Sequence, residues 1–197
     1  VEYLCPFVQL FNEQLTVSQM YDCFKDILGL TEEENRKAVK EGYIAYYKFM
    51  NGLKDESKHI LDMLEKENRI GIVVLARPYH NDPGINHEIL EEFQKLGYPV
   101  FYQDTLPTDK ETLEKLFGDE VRAGLIKSPF DIEDVWKNSY SENTSRKVWA
   151  AKYAARHPNL VALELSSFKC GHDAPIYTVI QEIVENSGTP YFSFKDI

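Results

Sequence analysis

The sequence predicts an α/β protein: a Rossmann-like (flavodoxin-like) parallel sheet of about four strands, order 2-1-3-4, behind a long N-terminal helical arm. Three observations carry this. GIVVLAR, from Gly71 to Arg77, is a continuous apolar run stopped by Pro78, the pattern of a strand buried on both faces. A loop, a Pro-bearing helix, Gly-x-Pro and an aromatic strand follow it, and the same order returns at LVALEL, 160–165. Each unit is about 35 residues long, the size of one βαβ crossover. The arm and a Cys-Pro segment occupy 1–69, the sheet domain 70–197, and a helical insert 105–158 separates the two units.

Each element has a local reason. Residues 1–16 mix apolar and polar side chains, and a short helix follows in which Val17, Met20, Phe24, Ile27 and Leu28 recur at helical spacing and Gly29 is the stop. Thr31 and Glu34 form a capping-box signature. It opens the longest periodic segment, Val39, Tyr43, Tyr46, Met50, Leu53, Ile60 and Leu64, broken at Ser57, which fits one long helix or two stacked ones up to Lys66. After the first strand, Asp82 reads as an N-cap and Pro83 as the first helical residue, with Ile85, Ile89, Leu90, Phe93 and Leu96 as the stripe. Gly97 and Pro99 close that helix before the strand Val100–Tyr102. In the insert, Leu113, Leu116, Phe117 and Val121 mark one helix. Ser139 with Glu142 reads as the capping box of another, which carries Val148, Trp149, Ala151 and Ala155. In the second unit Asp173 reads as an N-cap, Ile176, Val179, Ile180 and Ile183 as the stripe, Gly188 as the stop and Tyr191–Phe194 as the last strand.

Composition narrows the function. Of 197 residues 43% are hydrophobic and 27% charged, which excludes disorder and low complexity. A net charge of −10 speaks against a nucleic acid or an anionic membrane as partner. No stretch approaches the roughly 20 apolar residues of a membrane span. Three cysteines are too few for a disulfide framework and point to a reducing, cytoplasmic compartment. The chain starts at Val1 rather than Met and stops after a strand-like run, which predicts a piece of a longer protein.

In an open parallel sheet, ligands bind beyond the carboxyl ends of the strands, where strand order reverses. The loops expected to meet there are RPYHN and SSFKCGH, which carry Arg77, Tyr79, His80, Cys170 and His172, with His87 further along. Cys170, before Gly171 at a helix entrance, reads as a nucleophile, as an iron–sulfur ligand, or as a small residue filling the junction. Cys5-Pro6 resembles the setting of many cluster ligands; Cys23 reads as a buried apolar filler. Arg77 has two readings, a holder of phosphate or carboxylate and a partner for one of the many acids. Asp82 reads as a cap rather than a catalytic acid, and His59 and His157 as surface or capping residues. His80 and His87 lack the HExxH spacing of zinc hydrolases. Neither a Walker loop nor GxGxxG occurs, so ATP and NAD are not bound by those routes.

VVLARPYHNDPGINHEI and VWAAKYAARHPNLVALELSSFKCGHDAPIYTVIQEIVENSGTPYFSFKD resemble the carboxy-terminal region of the large CoA-substrate-specific enzyme activases. That region is similar to 2-hydroxyglutaryl-CoA dehydratase component D, benzoyl-CoA reductase subunits and double-cubane-cluster proteins, and LCPFVQ matches the family's Cys-Pro motif. The resemblance implies a subdomain of an iron–sulfur protein. In such systems an actin-like-fold ATPase activator passes a low-potential electron to a cysteine-held cluster, for reduction or radical dehydration of an acyl-CoA thioester. It further implies that Cys170 and Cys5 are partial cluster ligands. A third ligand cysteine belongs upstream of the Cys-Pro motif, so this chain is expected to hold an incomplete or labile site and to be inactive alone. Arg77, His80 and His87 are candidate lining residues of the cofactor or substrate pocket. The alternatives are a non-catalytic CoA- or phosphate-binding domain and a structural assembly domain, with the arm mediating homo-oligomer formation.

Overall fold

A computed structural model describes residues 3–167 and 169–195. The chain divides into two compact units, residues 1–52 and 53–197.

The first unit contains α1 (Glu13–Leu28) and the amino-terminal part of α2 (Glu32–Glu67). α1 starts four residues before the expected stripe because Asn12 caps it, its side chain accepting the Leu15 N–H at 3.0 Å. It ends where Gly29 adopts φ +63°. α2 is one helix of 36 residues. Its capping box forms as the sequence predicts: the Glu34 carboxylate accepts the Thr31 N–H at 2.9 Å, and Thr31 Oγ1 accepts the Glu34 N–H at 3.2 Å. The Thr31 N–H and the Thr31 hydroxyl, which also donates to that carboxylate at 2.7 Å, hold the Glu34 carboxyl below its ordinary pKa. Its apolar stripe is unevenly covered. Tyr46 is 53% exposed, whereas Leu61 and Leu64, in the second unit, are buried.

The second unit holds β1 (Gly71–Leu75), α3 (Ile89–Lys95), β2 (Val100–Tyr102), α4 (Lys110–Arg122), α5 (Glu142–Arg156), β3 (Leu160–Ser166), α6 (Tyr177–Asn186) and β4 (Tyr191–Lys195). All strand pairs are parallel, in the order β2-β1-β3-β4. Register sets Val73 opposite Phe101 and Ala162, and Glu164 opposite Ser193. Alternation then sorts the two faces. Val73, Leu75 and Ala162 pack with Leu64, Phe117, Val148, Tyr153 and Ile180 on one side. Ile72, Val74, Leu163 and Leu165 pack with Leu90 and Phe93 of α3 on the other.

Two expectations shift. The helix predicted to start at Pro83 starts at Ile89, because His87 and Glu88 take positive φ (+56° and +58°) and interrupt it. Ile85 is accordingly exposed, and Leu96, the residue that caps the other end of α3, is exposed as well. Asp82 still serves backbone N–H groups, accepting from Gly84 at 2.8 Å and Ile85 at 3.2 Å. The cap of α5 is Ser141 rather than Ser139, whose hydroxyl instead accepts from Ser145 Oγ at 2.8 Å.

Candidate functional site

The loop after β1 tightens into a 3-10 turn over Pro78–Asn81. There the Arg77 N–H donates to His80 Nδ1 at 3.2 Å and the His80 N–H returns to the Arg77 carbonyl at 2.9 Å. Because Nδ1 accepts, the proton of the neutral ring sits on Nε2. His80 is fully buried, and the Asn86 amide donates to its carbonyl at 2.9 Å.

The loop after β3 folds onto this turn. The Cys170 carbonyl accepts the N–H groups of Asp173 and Ala174 at 3.0 and 3.1 Å. Asp173, read from sequence as a cap, makes no side-chain capping bond. Its carboxylate turns inward: Oδ1 accepts from Arg77 Nε at 2.9 Å and lies 3.4 Å from Lys147 Nζ. The remaining guanidinium nitrogens donate to Asn143 Oδ1 at 2.9 Å and Thr144 Oγ1 at 3.1 Å. Lys147 also lies 2.8 Å from Glu164 Oε1, and the Tyr191 hydroxyl hydrogen-bonds Glu164 Oε2. Burial first, then the Glu164 charge, pushes the Tyr191 hydroxyl far up.

Arg77, Lys147, Glu164 and Asp173 are all buried. Two cations face two anions, so the group is balanced in a region where an unpaired charge is costly. It ties the carboxyl ends of β1 and β3 to α5 and fills the crevice where strand order reverses. Every nitrogen of the Arg77 side chain has a partner within the chain, an acid among them, as one of its two sequence readings has it.

Outside this plug lies a softer rim. The Tyr79 ring lies 4.4 Å from that of His80. Burial, as the largest cause, raises the Tyr79 hydroxyl above its ordinary pKa. Cys170 is a free, half-buried thiol, and a Cβ added at Gly171 meets no atom within 4 Å, so the space beside it is open. His172 is exposed, with the Tyr140 ring edge-on at 5.8 Å.

The other candidates lie elsewhere. His87 is exposed, and no hydrogen bond or ion pair joins it to Arg77 or Cys170 among the described residues. Cys5 is an exposed free thiol of the first unit, and Cys23 is half-buried there. His157, read as a surface or capping residue, is 4% exposed: its Nδ1 accepts the Asn159 N–H at 3.2 Å and its Nε2 lies 3.1 Å from Glu65. Burial, as the largest cause, lowers its pKa. Among the described residues no three His, Cys, Asp or Glu side chains stand together as metal ligands.

Reading the sequence alone passes over Lys147, Glu164, Asn143 and Thr144. One signal was present: Glu164 interrupts an apolar strand buried on both faces, and a carboxylate there requires a buried cation.

A family model, the CoA enzyme activase uncharacterised domain (DUF2229), matches residues 1–106. The chain belongs to that family. The match takes in LCPFVQ and RPYHNDPGINHEI and ends at Leu106, just past β2, so the Cys170 loop lies outside it. Among curated proteins and among solved structures, none matches the chain.

Proposed function

We propose that this activase-family chain serves a cytoplasmic iron–sulfur protein in ATP-driven, low-potential electron transfer to acyl-CoA chemistry. An actin-like-fold ATPase is its activator and Cys170 a contributed cluster ligand. The observation that carries this is the placement of Cys170: a free, half-buried thiol on the loop after β3, at the switch-point rim and next to the open space at Gly171. A cubane takes about four thiolates, whereas residues 53–197 contain one cysteine. The residues present therefore do not fit a complete cluster. This chain's share is partial, with Cys5 as its second candidate. Anaerobic reconstitution of the longer protein with iron and sulfide tests the reading. Cys170→Ala is expected to weaken the charge-transfer band, and an unchanged spectrum refutes the assignment.

Assembly through the arm is a second reading, favoured by one observation: Phe7, Phe11, Ile44, Tyr47 and Phe49 are each at least 50% exposed. Light scattering that shows a monomer removes it. No helix among the described residues is long and apolar enough to cross a membrane.

A further inference from the structure

Gln103 follows β2 directly and is 6% exposed. Its Oε1 accepts the Ala76 N–H at 3.3 Å. That bond fixes the amide orientation, because a backbone N–H needs the oxygen and not the NH2 group. Nε2 therefore points the other way, and among the described residues it has no hydrogen-bond partner. A buried amide donor left unpaired costs about 1–3 kcal/mol, so its retention calls for an explanation.

Gln103 lines a notch of about 10 Å3 outside the carboxyl ends of β1 and β2, together with Arg77, Pro78, Asn81, Tyr102 and Asp104. That volume takes about one oxygen-sized group. The charges around it decide which group. The Arg77 guanidinium is already matched by Asp173, and Asp104 Oδ1 holds Arg146 at 3.2 Å. An anion entering the notch gains no free cation and meets the Asp104 carboxylate. A carbonyl satisfies Gln103 but sets its oxygen against Asp104. A hydroxyl does both jobs, accepting from Gln103 Nε2 and donating to Asp104.

We propose that this notch is a subsite for a ribose-type vicinal diol, one hydroxyl entering between Gln103 as donor and Asp104 as acceptor. In doubly wound folds an acidic residue at this end of the second strand meets a ribose hydroxyl, a likeness of fold that agrees with the side-chain argument. The Gly-rich phosphate turn of those folds is missing here. The ligand is therefore held at its nucleoside end and not by a pyrophosphate. This subsite is independent of the thiol at Cys170, and either assignment can fail without the other.

The test is nuclear magnetic resonance of the 15N-labelled chain titrated with adenosine, followed at the Gln103 side-chain NH2 pair. A saturable shift is expected, with either 2′-deoxyadenosine or 3′-deoxyadenosine at least about fivefold weaker, according to which hydroxyl enters. Gln103→Met is expected to weaken adenosine about tenfold. Gln103→Glu, which keeps an acceptor for the Ala76 N–H and exchanges the donor for a carboxylate oxygen beside Asp104, is expected to weaken adenosine at least as much and serves if the methionine variant does not fold. An NH2 pair unmoved by adenosine, equal affinity for both deoxynucleosides, or full affinity in either variant overturns the proposal. So does an ordered water at Gln103 that adenosine leaves in place.

Discussion

Replacing Lys147 by methionine isolates the energetics of the plug. The substitution removes one of two cations from a fully buried set and leaves Glu164 with the Tyr191 hydroxyl and no countercharge. Breaking a buried pair on one side costs about 3–5 kcal/mol, because the orphaned charge stays in low dielectric. Removing both partners has a different outcome. In Lys147→Met/Glu164→Leu the Arg77–Asp173 pair, at 2.9 Å, remains balanced. The loss is then confined to the Tyr191 hydroxyl, about 1–3 kcal/mol for a donor left unpaired. The double variant is therefore expected to be more stable than the single, with a coupling of about 2 kcal/mol or more in the mutant cycle. Urea unfolding followed by Trp149, buried beside Phe117 and Tyr153, reads this directly. A double variant that loses as much as the two single variants added together refutes the view that charge balance holds the rim.

Other outcomes follow from the same geometry. Arg77→Lys keeps the charge but cannot serve Asp173, Asn143 and Thr144 at once; two lost hydrogen bonds predict a destabilisation of about 2 kcal/mol in the same urea assay. Gly71→Ala sets a Cβ 2.6 Å from Phe101 Cε2 and 2.9 Å from Leu64 Cδ1, and overpacking of that kind predicts a loss of about 1–3 kcal/mol. His157 has a folded pKa below its unfolded value of about 6.5. The unfolded chain therefore takes up the proton first as pH falls through that value, and stability drops by at most about 1.4 kcal/mol per pH unit until the folded pKa is passed. His157→Asn, which retains an acceptor for the Asn159 N–H, should remove that part of the pH dependence; an unchanged profile counts against the assignment.

How much of this was legible in the sequence depended on how far apart the interacting residues lie. The capping box of α2 joins residues three apart, and the strands announce themselves as apolar runs; both are local, and both appear where expected. Strand order was legible too, because two short βαβ units have few right-handed ways to share a sheet. The start of α3 was not. Pro83 is a sound first-turn residue, but the left-handed backbone at His87 and Glu88, where no glycine marks it, left no trace in composition.

The site divides along the same line. That the two loops meet followed from topology, since both leave neighbouring parallel strands at their carboxyl ends. What joins them did not, because the Arg77–Asp173 contact spans 96 residues and Asp173-Ala-Pro carries the local signature of a cap. Lys147 was hidden for a related reason: a lysine beside Val148 in a helix looks solvent-facing until its partner is known. Charges that balance across the sequence become visible by asking of each acid in a buried strand which cation answers it. That question, put to Glu164, leads to Lys147, then Asp173, and so to the loop that carries Cys170. The route runs from an electrostatic necessity inside the sheet to the reactive thiol at its edge, and it needs no family likeness at any step.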